Sequence, residues 1–302
     1  MQNSINLLDK IGNTPLIQLN HVTDSLKDVS VFVKAEFFNP SGSVKDRAAY
    51  SMVLDGIKSG KLTKDKIIID ATSGNTGIAY AMIGAILGYK VTLCLPKNTS
   101  DVRKLMLKAY GAELIETSPL ESSDGAQLKA IELSKSNPDK YFYPDQYNND
   151  ANWKAHVNGT AKEIWQQTSS KVTHFVAGMG TSGTFIGTSR GLKQFNPNIK
   201  AIQMQPDSPL HGLEGMKHLK STIIPGIYDA SVADGTIEIA TEDAQDMVLR
   251  LAKEEGLFVG ISSGANVAAA LNIAKTLPKG SLVVTILCDN GYRYINEELW
   301  KR

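Results

Sequence analysis

Short runs of β-branched and apolar residues alternate with stretches of helical periodicity along most of the chain. Six runs predict strands: Lys66–Asp70, Lys90–Leu95, Glu113–Glu116, Val172–Ala177, Lys200–Gln205 and Ser281–Asp289. Six helices are predicted near 75–87, 101–110, 122–136, 183–194, 242–255 and 264–276. Because such alternation is typical of parallel sheets with helices on both faces, we expect an α/β fold.

The polar stretch Pro144–Asn152 is rich in Asn and Asp and separates two of these strand–helix sets. It predicts two domains with a cleft between them. Ligands of such sheets bind at the carboxyl ends of strands, where loops lead into helices. Three glycine-containing loops of this chain are candidates for such a ligand site.

Composition excludes several classes of function. The 302 residues carry 32 basic and 31 acidic side chains, so no surface for nucleic acid is expected. Met1–Lys10 lacks the apolar run of a signal peptide, and the apolar stretch Gly77–Gly88 is shorter than the ~20 residues that span a bilayer. Cys94 and Cys288 lie in apolar runs and are expected to be buried and reduced. The histidines show no metal-binding spacing, so no metal is expected. Without a signal peptide, a membrane span or a disulfide framework, the sequence predicts a cytoplasmic protein.

The first loop, Ala71–Gly77, follows a predicted strand and leads into a helix. Its glycines leave backbone N–H groups open, and the positive end of the helix favours an anion there. Hydroxyl groups and the Asn75 amide add donors. A helix start that is merely capped by serine or asparagine is equally compatible with this loop taken alone.

The second loop, Gly178–Thr184, has the GxGxxG spacing of dinucleotide-binding loops. A dehydrogenase of that kind needs an acidic residue at the end of the next strand, where this chain has Gln205. The hydroxyls of Thr181, Ser182 and Thr184 suit a terminal phosphate, which needs many donors. A phosphate site is therefore favoured over NAD binding.

The third loop, Gly260–Gly264, has the GxSxG spacing of the nucleophile elbow in α/β-hydrolases. Those enzymes need a histidine later in the chain. All five histidines precede Ser262: His21, His156, His174, His211 and His218. The hydrolase interpretation fails, which leaves Ser262 as a helix cap or as a hydrogen-bond partner of a ligand.

Lys45 occupies an unusual place in the predicted helix Val44–Ile57. At about 100° per residue, Lys45 falls in the middle of the apolar stripe, whereas Arg47 falls on the opposite side. Burial and the positive helix end both disfavour an ammonium group, so an amine here would be a nucleophile suited to a Schiff base. A first-turn lysine that reaches back to water stays open as the simpler alternative.

Together these motifs resemble the fold type II pyridoxal-phosphate (PLP) enzymes, and within them the cysteine synthase (O-acetylserine sulfhydrylase) family. The similar segments cover nearly the whole chain in the family's order: Ile11–Leu16, Asn39–Arg47, Thr72–Gly77, Gly180–Thr184, Gly260–Gly264 and Asp289–Tyr294. The cysteine synthase B type is the most similar, on the stretches Gly159–Gln167, His174–Val176 and Ile224–Asp229. Ser182 departs from the usual residue of the phosphate loop and adds a donor, which should be harmless. Asn290 and Tyr292 depart without a clear consequence, and Leu210–His218 departs in a segment that should border the substrate entrance.

The resemblance implies two domains, each a twisted and mostly parallel sheet flanked by helices, as in the tryptophan synthase β fold. It implies a smaller mobile domain, 40–150, with the substrate loop, and a larger domain, 1–39 plus 151–302, with the phosphate loop. It also implies a homodimer, with serine acetyltransferase as a further partner.

The resemblance also assigns residues to PLP and to the substrate. Lys45 would hold PLP covalently and act as the catalytic base. The other implied cofactor-binding residues are Asn75, Gly180, Thr181, Ser182, Gly183, Thr184 and Ser262. The substrate carboxylate is expected at Thr72, Ser73, Gly74, Asn75, Thr76 and Gln146.

The implied reaction is a β-replacement that makes L-cysteine from O-acetyl-L-serine and sulfide or thiosulfate through an aminoacrylate intermediate. Alternatives within the family are an O-phosphoserine donor, a cystathionine β-synthase-like condensation, and release of sulfide from cysteine. Outside it, a catalytically idle partner-binding paralogue is disfavoured by the intact Lys45, Asn75 and Ser262.

Overall fold

The computed structural model describes residues 6–302 except Lys27 and Ser73, and leaves out the side chains of Ser122 and Ser123. Backbone contacts divide the chain into two compact units. We call Met1–Ile11 with Lys45–Asn152 the smaller unit, and Gly12–Val44 with Trp153–Arg302 the larger unit. The mobility of a domain with the range 40–150 stays a prediction.

The described residues form ten strands and nine α-helices. The strands are β1 Leu16–Gln18, β2 Ser30–Ala35, β3 Ile67–Ala71, β4 Val91–Pro96, β5 Glu113–Thr117, β6 Tyr141–Phe142, β7 His174–Gly178, β8 Lys200–Pro206, β9 Gly235–Ile239 and β10 Leu282–Leu287. The helices are α1 Lys45–Lys58, α2 Asn75–Leu87, α3 Asp101–Ala109, α4 Ser122–Ser136, α5 Asp150–Asn158, α6 Thr160–Gln167, α7 Gly183–Phe195, α8 Thr241–Glu255 and α9 Ile261–Ala274. Short 3-10 helices lie at Leu7–Lys10, Glu36–Phe38, Pro119–Glu121, Leu219–Ser221, Ala230–Val232, Gly291–Tyr294 and Glu298–Lys301. The predicted α/β class is confirmed.

The sheet of the smaller unit has the strand order β5-β4-β3-β6, and all its pairs are parallel. Apolar residues of α1 and α2 pack with those of β3 and β4, for example Met52, Ile83, Ile68 and Leu93. α2 is buried over nine of its 13 residues, which explains why its sequence is apolar on every side. The helix that follows β3 is therefore held firmly in the core.

The sheet of the larger unit has the order β1-β2-β10-β7-β8-β9, in which only β1 runs antiparallel to its neighbour. In β10, Val283 and Leu287 contribute to one core cluster, whereas Val284 and Ile286 contribute to another. Strand residues alternate between faces, so both faces of this central strand are covered. The carboxyl end of β7 leads directly into the GxGxxG loop.

The two cysteines differ from each other. Cys94 is fully buried within β4, as expected, and burial raises the pKa of its thiol to about 11. Cys288 is only partly buried, because β10 ends one residue before it, so the expectation of burial is wrong for this residue. Neither cysteine forms a disulfide bond.

Across the residues that the structure describes, no helix has the length and apolar character needed to cross a membrane.

Candidate functional site

The loop between β3 and α2 ends at a helix start that is open to an anion. Gly74 is the N-cap of α2, not Asn75, and the first turn of the helix contains no acidic residue. The Gly74 N–H donates to Thr72 Oγ1 over 3.2 Å, so the loop turns back on itself. Because the first N–H groups of a helix lack partners within it, this end of α2 suits a carboxylate. Ser73, also assigned to the substrate, lies outside the described residues.

Gln146 lies beside this helix start. The Thr76 hydroxyl donates to Gln146 Oε1 over 3.1 Å, and the Asn152 side-chain amide donates to the Gln146 main-chain oxygen over 2.7 Å. Gln146 is 5% exposed, so its amide is held in place rather than solvated. The structure thus brings together two of the residues that were assigned to the substrate carboxylate from separate parts of the sequence.

Asp70 was missed by the sequence analysis, although it is the charged residue in an otherwise apolar strand. It is 1% exposed, and its Oδ1 accepts a hydrogen bond from the Ala71 N–H over 2.7 Å. Loss of solvation raises the pKa of Asp70 to about 7, and the nearby Asp145 adds to this, whereas hydrogen bonds from Ala71 and Tyr80 oppose it. The carboxyl group therefore changes charge within the neutral pH range.

Lys45 is the first residue of α1 and is half-buried. The surroundings of Lys45 differ from the predicted apolar stripe, since Asp46 is fully buried and Arg47 is 5% exposed. Asp46, Arg47 and Ala48 are all buried in the first turn of α1, so a single amphipathic period does not describe it. Lys45 is exceptional for being more accessible than the two charged residues that follow it.

A buried polar network supports the turn that precedes Lys45 in the sequence. Glu36, which is fully buried, accepts hydrogen bonds from the Thr14 hydroxyl over 2.7 Å and from the Asn39 amide over 2.9 Å. Asn39 Oδ1 accepts in turn from the Gly12 N–H over 2.8 Å. The network joins the segment Ile11–Leu16 to the beginning of the segment Asn39–Arg47, and Glu36 was not singled out from the sequence.

The C-terminal motif contacts the same turn. Arg293 donates to the main-chain oxygen of Ser41, and Val44 N–H donates to the main-chain oxygen of Cys288 over 2.8 Å. Gly42 has a φ of +86°, a conformation that favours glycine. Three of the motifs that suggested the family therefore meet in one place in the larger unit.

The GxGxxG loop leads from β7 to the start of α7, whose first turn contains no acidic residue. The Gly178 N–H donates to Asn266 Oδ1 over 2.8 Å, which anchors the loop. A side-chain carbon at Gly180 would lie 2.5 Å from the main-chain oxygen of Gly215. Only glycine fits there, so the loop is closely packed against neighbouring backbone.

The hydroxyl groups of this loop differ in their partners. Ser182 is the N-cap residue of α7, at a φ of +72°, but its side chain makes no capping hydrogen bond, and its buried Oγ has no hydrogen-bond partner among the described residues. Thr184 Oγ1 lies 3.3 Å from His156 Nε2, and His156 Nδ1 lies 2.9 Å from Thr160 Oγ1. A buried hydroxyl without a partner is costly, which points to a ligand that it would bind. His156 is a further neighbour that sequence reasoning missed.

Ser262 is the second residue of α9 and is 7% exposed. Gly260 is the N-cap, so the interpretation of Ser262 as a helix cap is wrong. Its neighbour Ser263 accepts a hydrogen bond from the Cys288 N–H over 2.8 Å. Within the described part of the chain, the Ser262 hydroxyl has no such partner, which leaves it for a ligand.

These features fit PLP. A phosphate group needs several donors, and the first turn of α7 with the unpartnered Ser182 hydroxyl supplies them without an opposing carboxylate. A pyridine nitrogen needs one hydrogen-bond partner, for which the Ser262 hydroxyl is suited. The larger unit therefore contains donors for both ends of the cofactor.

Comparison with known proteins decides the family. A family model described as pyridoxal-phosphate dependent enzyme matches residues 7–289. The chain belongs to this family. It is 50% identical to the cysteine synthase of Aquifex aeolicus over 299 residues, which cover 97% of this chain and 91% of that protein. It is 42% identical to cysteine synthase B of Salmonella typhimurium over 286 residues, 95% of this chain and 93% of that protein.

Solved structures agree with this result. The cysteine synthase of Entamoeba histolytica is 38% identical, with a TM-score of 0.95 over 100% of this chain and 93% of that one. An O-acetylserine dependent cystathionine β-synthase from Helicobacter pylori is 36% identical, with a TM-score of 0.91 over 99% and 100% of the two chains. The predicted family is confirmed, and with it PLP as the cofactor of this enzyme. This family gives no support to the NAD interpretation of the GxGxxG loop.

Proposed function

We propose that this PLP enzyme makes L-cysteine from O-acetyl-L-serine and sulfide. The observation that supports this most strongly is the 50% identity to a cysteine synthase over 97% of the chain. The intact Lys45, Asn75 and Ser262 support it further, because an idle paralogue would not need them.

The cofactor-binding roles follow the motifs of the family. Lys45 would bind it covalently through Nζ, and the main-chain N–H groups and hydroxyls of Gly180–Thr184 would bind its phosphate. Ser262 would hydrogen-bond the pyridine nitrogen, and Asn75 the ring's 3-oxygen. A neutral hydroxyl at the ring nitrogen stabilises less charge there than a carboxylate would, which suits replacement at the β-carbon over transamination.

The protein's own contribution to the chemistry is binding and proton transfer. When bound, PLP withdraws electrons from the α-carbon of the amino acid. The Nζ of Lys45, once released, would take the α-proton and later return it to the same carbon. Thr72–Thr76 and Gln146 would bind the α-carboxylate and so orient that carbon toward Lys45. We further propose that a smaller domain, 40–150, moves when the amino acid binds.

The test is a titration of the purified holoenzyme. O-acetylserine, O-phosphoserine, serine and cysteine are added separately while the visible absorbance of the cofactor is recorded, and then sulfide, thiosulfate or homocysteine is added. We expect O-acetylserine with sulfide to give cysteine at the highest rate, identified by mass spectrometry. Lys45→Ala should lose both the absorbance of the lysine-bound cofactor and the synthesis. Cysteine synthesis by Lys45→Ala would contradict the assignment of Lys45 as the catalytic residue.

A cystathionine β-synthase-like reaction is the second candidate, because one structural neighbour has that activity with O-acetylserine. Faster reaction with homocysteine than with sulfide would favour it. An O-phosphoserine donor has less support, because the two lysines that could meet its phosphate already have partners. Lys217 Nζ donates to Thr222 Oγ1 over 3.0 Å, and Lys220 Nζ lies 3.7 Å from Glu238. A homodimer, a serine acetyltransferase partner and a cytoplasmic location belong to the same proposal.

A further inference from the structure

The Asp70 carboxyl group lies at the end of β3, next to the loop that the proposed function assigns to the substrate carboxylate. Asp70 is the penultimate residue of β3, and the loop begins two residues later. Oδ1 is engaged by the Ala71 N–H, and Oδ2 lies 3.5 Å from Gln146 Nε2, at the long end of the hydrogen-bond range. The steps of the proposed reaction do not use this buried group.

Two neighbours determine which way the Gln146 amide points. The Thr76 hydroxyl donates to Oε1, so Nε2 is turned toward Asp70 Oδ2, which can only accept when ionised. An amide nitrogen carries two hydrogens, so one N–H of Gln146 remains to bind a ligand. If the amide were turned over, it would present its oxygen in place of that N–H and would repel a carboxylate.

We propose that Asp70 is a positioning residue for the amino-acid substrate: it orients the side-chain amide of Gln146 so that an N–H faces the α-carboxylate. This inference rests on the proposed function, in which Gln146 and the Thr72–Gly77 loop bind that carboxylate. Asp70 acts through Gln146, and it contributes charge to the same site.

The charge of Asp70 adds a pH dependence. The groups that interact with Asp70 are Tyr80 on α2, Cys94 on β4, and Tyr143, Asp145 and Tyr147 after β6. Burial raises the pKa of all three tyrosines, that of Tyr147 to about 12, so they stay neutral. On α4, Lys129 and Asp124 act on Cys94 and Tyr147. Because the pKa of Asp70 is about 7, its carboxyl group becomes a pure acceptor toward Gln146 Nε2 as the pH rises through neutral, so the orientation of the amide, and with it carboxylate binding, should improve over that interval.

The test measures binding of L-alanine, which has the α-carboxylate but no leaving group. Its dissociation constant is taken from the change in cofactor absorbance of the holoenzyme between pH 6 and 8.5. The proteins are wild type, Asp70→Asn, Gln146→Ala and the double variant. In Asp70→Asn, the oxygen keeps the Ala71 N–H, so the new NH₂ group meets Gln146 Nε2 and turns the amide over.

We expect Asp70→Asn to weaken alanine binding about tenfold at pH 8.5, where the wild-type carboxyl group is ionised, with cofactor retention unchanged. The loss should shrink as the pH falls through 7, because the protonated wild-type carboxyl group then presents a donor to Gln146, as asparagine does. In the Gln146→Ala background, Asp70→Asn should weaken alanine binding less than about twofold, since the effects of coupled residues are not additive. The amine of the ligand titrates identically for every variant and cancels in the ratios.

Equal losses in both backgrounds would overturn the proposal, and so would a loss that is independent of pH. If Asp70→Asn does not fold, the wild type and Gln146→Ala decide: the inflection near pH 7 must be present in the first and absent from the second. Asp234→Asn is the matched control, because Asp234 also accepts a main-chain N–H, from Ala201 over 2.8 Å, but in the larger unit. Failure of the proposed function would look different: alanine would bind with the expected dependence on Asp70 while no cysteine is formed.

Discussion

The loops after β3 and β7 are built alike, yet they differ in what surrounds them. Each leads from a parallel strand into a helix whose first turn contains no acidic residue. Below the first lies Asp70, whose pKa of about 7 lets its charge change near neutral pH. Around the second lie Ser182, with an unpartnered hydroxyl, and Gly180, which lies against the backbone of Gly215.

The difference matches the ligands assigned to the two loops. A cofactor that stays bound can be held by fixed neutral hydrogen-bond donors in a closely packed loop. A substrate that enters and leaves in every cycle would, under the proposed assignment, bind the amide of Gln146, whose orientation depends on two neighbours. Each of the following changes should affect one loop and spare the other.

The largest effect is expected from Gly180→Ala. The added carbon would lie 2.5 Å from the Gly215 oxygen, closer than any real contact, so the loop must shift. We expect cofactor affinity to fall by about two to three orders of magnitude, or ~3–4 kcal/mol, measured by equilibrium dialysis.

The matched control is Gly74→Ala in the other loop, where the nearest atom would be Thr72 Oγ1 at 3.9 Å. That variant should keep its cofactor. Comparable cofactor loss in both variants would contradict the distinction between a packed and an open loop.

Asp70→Asn should change how stability depends on pH. The pKa of Asp70 is raised by burial, so its contribution to stability is fully present below about pH 4 and is lost as the pH rises through about 7. Between pH 5 and pH 8, the wild type should lose ~2–3 kcal/mol relative to the variant, measured by urea unfolding.

Asp234→Asn should show no such change over the same interval. Partial burial opposes ionisation there, but the hydrogen bond from Ala201 and the nearby Lys193 hold the pKa of Asp234 below its ordinary value. Its contribution is therefore constant above pH 5. A parallel pH dependence in the two variants would argue against Asp70 as the titrating group.

The features that could be predicted from the sequence are local ones. A strand, a glycine-rich loop and a helix start follow each other within about a dozen residues, so Ala71–Gly77 and Gly178–Thr184 could be recognised as loops at strand ends. The six predicted helices all exist, with starts within about three residues of the expected ones. Residue roles, however, depended on the family resemblance.

What could not be predicted depends on contacts between distant residues. Gln146 reaches Asp70 and Thr76 across 76 and 70 positions, and Thr14 reaches Glu36 across 22. Periodicity also failed at α1, because it assumes one buried face, whereas Asp46 and Arg47 are buried on the other sides. Only the packed structure shows which charged side chains the core encloses.

A smaller effect is expected from Ser182→Ala. If the buried Oγ binds the phosphate, the variant should bind the cofactor about tenfold more weakly, or ~1.4 kcal/mol. The cofactor-free protein should be as stable as the wild type or more stable, because a buried hydroxyl without a partner is removed. A purely structural serine would instead lower the urea midpoint of the cofactor-free protein.

The smallest effects are expected when a single hydroxyl is removed from one of the two loops. They show whether each loop binds its own ligand. Thr76→Val removes the donor to Gln146 Oε1, and Thr184→Val removes the hydroxyl that lies 3.3 Å from His156 Nε2. A net hydrogen bond contributes about 0.5–1.5 kcal/mol, so changes of about three- to tenfold are expected. Thr76→Val should weaken alanine binding and leave cofactor retention unchanged, while Thr184→Val should weaken cofactor retention first. The two variants form a crossed pair on equal side-chain volumes, so a general loss of packing cannot produce opposite patterns. If both variants lose the same ligand, the two loops do not act as separate sites.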